Sequence, residues 1–79
     1  MMTLEEKLNL FNNILKLVDE AEFYECALSH CSYARGMIGA WMADGTLEPK
    51  LWTELYEKAE AVMATKYTLK TITKEGVPF

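Results

Sequence analysis

Residues 22–43, EFYECALSHCSYARGMIGAWMA, read as one long helix with two unlike sides, and a short chain must arrange itself around such a helix. Phe23, Ala27, His30, Ala34, Met37 and Trp41 recur at steps of 4, 3, 4, 3 and 4, which keeps them on one stripe. That stripe is expected to face the core. Ser29, Ser32, Gly36, Gly39 and Ala43 recur at 3, 4, 3 and 4 and form a ridge with almost no side-chain bulk. Glycine inside a helix costs about 1 kcal/mol against alanine, and close approach of a second backbone is the usual compensation. Ser29, Ser32, Gly36 and Gly39 are therefore the expected self-association surface.

The flanking segments are helical too. Thr3-Leu4-Glu5-Glu6 has the form of a capping box. Leu4, Leu8, Phe11, Leu15 and Val18 then step by 4, 3, 4 and 3, flanked by Leu10, Ile14 and Leu17. Continuing this stripe would land on Glu22 and Glu25, so a first helix over 4–18 is expected to break at 18–21. Asp19 and Glu22 are the candidate cap for a second helix over 20–43. No glycine or proline marks the break, and one long bent helix is the alternative.

Asp44-Gly45 supplies the stop, with Leu47 placed to fold back over the last turn near Trp41. Pro49 suits a first helical position. In the third helix Leu51, Trp52, Leu55, Ala59 and Val62 face inward, while Glu54, Glu57, Lys58 and Glu60 face outward. Glu54 and Lys58 are spaced to pair. Leu69 and Ile72 continue the inner stripe, which predicts a helix over 49–72. The threonines at 65, 68, 71 and 73 argue against it, and residues 66–72 could alternate as a strand. The expected fold is all-α: one domain over 1–79, a small bundle of three main helices, dimeric.

The dimer follows from size. A chain of 79 residues buries only roughly 60–65% of its unfolded surface, yet 51% of this one is hydrophobic. Eight basic residues against twelve acidic give −4, which argues against direct binding to nucleic acid, where a basic face must displace counterions. The start, MMTLEEKLNLF, has acids where a signal peptide needs a basic region, and no apolar run reaches membrane-spanning length. No membrane role is expected, and the reading is cytoplasmic. Cys26 and Cys31, five apart on one helix, point in different directions and read as free, buried thiols.

Chemistry is sparse. Cys26 and His30 share a helix face one turn apart, with Glu22 a turn back, but zinc wants about four ligands and no CxxC or HxxxH spacing supplies them. A Cys–His nucleophile would sit beside Glu22 and Glu25, which disfavour a thiolate, and no oxyanion hole is evident. The GxxG of Gly36 to Gly39 lies within an apolar helical pattern and reads as packing. No catalytic, cofactor-binding or metal residue is assigned, and the chain is not expected to be an enzyme.

The run from Tyr33 to Met63, YARGMIGAWMADGTLEPKLWTELYEKAEAVM, resembles a pattern common in small helical-hairpin accessory proteins of phages and mobile elements. The resemblance covers under half of the chain and brings no catalytic residues. It implies a short protein that binds and blocks or redirects a larger host protein or nucleoprotein complex, anti-CRISPR and anti-restriction inhibitors being examples. The residues expected to carry such binding are the outward aromatics Tyr24 and Tyr33, the lone Arg35, and the acidic group Glu20, Glu22 and Glu25. Tyrosine and arginine are enriched among residues that dominate binding energy. The rival reading is a structural homo-oligomer or assembly factor without an inhibitory role.

Overall fold

The computed structural model describes residues 2–69 and places three helices there: α1 over Leu4–Glu20, α2 over Tyr24–Ala43 and α3 over Pro49–Ala64. The first begins as its sequence dictates. The Glu6 N–H donates to Thr3 Oγ1 at 3.1 Å, and the Thr3 N–H donates to Glu6 Oε1 at 2.9 Å, closing a reciprocal capping box. The backbone bond from Thr3 holds the Glu6 carboxyl below its ordinary range. A depressed carboxyl stabilises the fold above its unfolded pKa and loses that contribution as pH falls through the lower folded one, so the cap weakens in acid.

The break between α1 and α2 lies at residues 21–23 rather than at 18–21. Ala21 turns extended at φ −64°, ψ 135°, its N–H still bonded to the Val18 carbonyl at 3.2 Å, and Phe23 is extended at φ −122°, ψ 143°. No side chain caps α2, so Asp19 and Glu22 do not play that part. Extended backbone is open to every residue type, which is why no glycine or proline marks this corner.

The second corner is explicit in the sequence. Gly45 takes φ +86°, the left-handed region that disfavours a Cβ. The Thr46 and Leu47 N–H groups both donate to the Trp41 carbonyl, at 2.8 and 3.1 Å, and Leu47 folds back until it is 2% exposed. Pro49 opens α3 in its first turn. That helix stops at Ala64, short of the expected 72. Thr65 Oγ1 donates to the Val62 carbonyl at 2.7 Å and the Lys66 N–H to the Met63 carbonyl at 2.8 Å, so a turn replaces the ladder before residues 67–69 resume as helix. Residues 66–69 are therefore not strand; Ile72 lies outside the described residues.

The core is drawn from all three helices: Phe11, Ile14, Leu15 and Val18 of α1, Ala27, Cys31, Ala34 and Ile38 of α2, Leu55, Ala59 and Met63 of α3, with Leu47. On α2 the buried line is Ala27-Cys31-Ala34-Ile38, while Phe23 is 59% exposed and His30, Met37 and Trp41 are half-buried. The expected stripe is the side turned to α1 alone. Because α2 also packs on α3, its buried arc widens and its centre rotates toward Cys31 and Ile38. For the same reason Leu51, Trp52 and Val62 of α3 lie only half-buried, and Met63 takes the inner place.

Candidate protein-binding faces

Polar and aromatic contacts mark which side of each helix meets which neighbour. On α1, Asn12 Oδ1 accepts from Lys58 Nζ at 2.7 Å and the Asp19 carbonyl accepts from Lys66 Nζ, so this side faces the end and body of α3. Lys58 thus reaches across to α1 rather than along α3 to Glu54. On α2, the Cys31 thiol lies 3.9 Å from the Ala59 carbonyl, the Tyr24 ring lies 6.0 Å from that of Tyr67, and Arg35 meets α3 directly. Lys7 of α1 sits 5.6 Å over the Trp41 ring and donates to Thr46 Oγ1 at 3.1 Å, fixing the opposite side of α2 against α1.

Arg35 is committed within the chain. Its Nη2 lies 3.0 Å from Glu60 Oε1 and its guanidinium 5.3 Å from the Tyr56 ring centroid, which itself stacks on Trp52 at 5.1 Å. Arg35 Nε and Trp52 Nε1 are both buried and find no hydrogen-bond acceptor among the described residues. A half-exposed ion pair of this kind is worth about 0.2–1 kcal/mol and a surface cation–π contact a similar amount. Arg35→Ala therefore removes a link between α2 and α3 as well as an outward charge.

The six residues expected to bind a partner are spread around the molecule. Two residues along a helix is a rotation of about 200°, so Tyr33 points away from the side that Arg35 occupies. Tyr33 is 61% exposed, whereas Tyr24 is half-buried toward α3. Glu20, Glu22 and Glu25 are all exposed around the α1–α2 corner. The corner brings Glu20, Glu22 and Glu25 near one another and near exposed Phe23; it brings neither Tyr24 nor Arg35 onto the side of Tyr33.

Of the small ridge, Ser29, Ser32 and Gly36 are exposed and Gly39 half-buried. A Cβ built on Gly36 or Gly39 would meet nothing within 4 Å, so packing inside this chain does not require glycine at either position. The two cysteines part company: Cys26 is exposed and Cys31 is fully buried, so Cys26 is not the core residue expected. Desolvation pushes the Cys31 thiol up, with Glu60 adding to it and Arg35 opposing. An alkylating reagent should therefore modify one thiol in the native protein and two in denaturant, with peptide mapping placing the native adduct on Cys26. Native modification of Cys31 at a comparable rate would contradict this packing.

Four residues that composition alone does not single out complete the picture. Leu10 of α1 lies two positions before Asn12, whose side chain meets Lys58, and so on the side away from α3, and Leu17 shares its side seven residues on; Cys26 and Met37 of α2 lie two positions after Tyr24 and Arg35, with the same consequence. Leu17 is 47% exposed. The available signal was the seven-residue step between Leu10 and Leu17, beside the main stripe of α1.

Among the described residues, no group of three or more His, Cys, Asp or Glu side chains is placed to hold a metal, and no helix is long and apolar enough to cross a membrane. No protein-family model, curated protein or solved structure matches the chain. Over the described residues the fold is a small all-helical bundle of three main helices.

Proposed function

We propose that this chain is a small protein-binding module that inhibits or modulates a larger protein or nucleoprotein complex, as anti-CRISPR-type proteins of phages do. The observation that supports this reading is the exposure of Leu17, Phe23 and Tyr33, large apolar side chains that a bundle this small leaves on its outside at 47, 59 and 61%. Leu17 and Tyr33 lie on the side of the α1–α2 hairpin that α3 does not cover, and Phe23 stands in the corner between the two helices. Patches of this kind on small proteins mark interaction sites. The partner is expected to be a protein of the cytoplasm. Affinity capture with tagged protein, followed by mass spectrometry, tests the reading: a heterologous protein held in stoichiometric amount supports it, and recovery of the bait alone contradicts it.

The open ridge favours a second reading, a structural homo-oligomer or assembly factor. Gly36 and Gly39 leave room on the outer side of α2 for another backbone, and a homodimer through Ser29, Ser32, Gly36 and Gly39 would use it. Gly36→Leu would then weaken the dimer by about 1–3 kcal/mol through overpacking. A monomer in sedimentation equilibrium at high micromolar concentration removes this second reading.

A further inference from the structure

We propose that the α1–α2 groove on the side away from α3 is the docking site for a cationic amphipathic helix of a partner protein. The proposal rests on the protein-binding reading and adds the surface and the chemistry of what it takes. Along the seam on this side stand half-buried Leu10 and exposed Leu17 of α1 with exposed Cys26 and Tyr33 and half-buried Met37 of α2, and exposed Phe23 stands at the corner end. The levels follow from Lys7 lying opposite Trp41 in an antiparallel hairpin: Leu10 is then level with Ile38, next to Met37, and Leu17 with Cys31, next to His30. This gives an apolar line about four helical turns long, a length that suits the spacing of anchors on one face of a docked helix.

Charge selects among occupants. On α1 the line runs Glu6, Leu10, Asn13, Leu17, Glu20 at steps of 4, 3, 4 and 3, so carboxylates bracket two leucines and an asparagine; Glu20 is exposed at the corner end, and Glu6 at the other end also accepts the Thr3 N–H of the cap. Glu22 and Glu25 join Glu20 at the corner, and none of the four has an ion-pair partner among the described residues. From Cys26 to Ala43 the only Lys or Arg on α2 is Arg35, which is turned to Glu60 on the far side. Lys7 is held over Trp41, and Lys16 lies on the outer side of α1. An apolar groove with acidic ends fits a helix whose apolar side chains fill it and whose lysines or arginines reach those ends. An anionic lipid surface or a nucleic-acid backbone would be repelled by the same carboxylates. A second copy seated through this face would bring only more of them.

The probe is an amphipathic peptide of leucine and lysine of about 15 residues, long enough to hold a helix when bound, with a leucine–glutamate peptide of the same pattern as its control. Fluorescence anisotropy is read with the full chain. The leucine–lysine peptide should bind saturably and the leucine–glutamate peptide should not. Leu17→Asp with Tyr33→Asp should weaken binding about tenfold or more, and Glu22→Lys with Glu25→Lys about tenfold, with a shallower dependence on salt. Glu54→Lys with Glu57→Lys makes the same change in net charge on the exposed face of α3 and should leave affinity within about twofold. Circular dichroism confirms folding, and Tyr33→Ser provides a milder variant should the double aspartate unfold. The proposal is overturned if the leucine–lysine peptide fails to bind, if it binds the groove variants as it binds wild type, or if the α3 charge variant loses as much as the corner variant. A captured cellular partner that ignores Leu17 and Tyr33 removes the groove and leaves the binding-module reading. Groove-dependent peptide binding with no captured partner does the reverse.

Discussion

Phe11→Ala should cost about 3–5 kcal/mol, the usual range for deleting a fully buried phenylalanine. Phe11 is 0% exposed and heads the set of largest buried side chains, standing among residues of every helix in the core. A folded chain of this length has only about 4–12 kcal/mol in total, so one such truncation removes about a quarter or more of its stability. Urea unfolding followed by far-ultraviolet circular dichroism gives the number. Leu17→Ala, six residues further along but 47% exposed, should cost about 0.5 kcal/mol or less. If the two losses were similar, the side of α1 assigned to the interior would be the wrong one.

The second large effect separates two neighbours on α2. Ile38 is fully buried and Met37 half-buried. Ile38→Ala should cost about 2–5 kcal/mol, while Met37→Ala, whose side chain lies at the rim of the groove, should cost about 1 kcal/mol. The order matters because the spacing of residues 23–41 alone puts Met37 inside and ignores Ile38. A larger loss from Met37→Ala than from Ile38→Ala would return α2 to the orientation that its simplest stripe suggests.

What the sequence makes legible here depends on how evenly an element's packing is divided between its neighbours. The start of α1 and the end of α2 are written in side chains: Thr3 and Glu6 close a reciprocal cap, and Gly45 and Leu47 close the second corner. The outer helix α1 has a concentrated apolar face, and Phe11, Leu15 and Val18 of its stripe are buried as read. The middle helix shares its packing between α1 and α3, whereas α1 packs mainly on α2 and meets α3 at its edge through Asn12 and the Asp19 carbonyl, so a stripe drawn for one partner misplaces Phe23 and omits Cys31 and Ile38 on α2. The corner at residues 21–23 leaves no signature because its extended backbone asks nothing of the side chains. The binding residues were the least legible part. Tyr33 and Arg35 are close in sequence and nearly opposite in space, and Arg35 is drawn off by Glu60 and Tyr56, residues distant along the chain.

A helix docked between α1 and α2 on the side away from α3 would cover Cys26, which makes this thiol the reporter of docking. Cys26 is exposed while Cys31 is buried, so the alkylation rate of the native protein reads the groove alone. With the leucine–lysine peptide at saturation, modification of Cys26 is expected to slow by about tenfold or more, since a docked helix excludes the reagent from the thiol. An unchanged rate at saturating peptide would place the bound helix elsewhere and contradict the account.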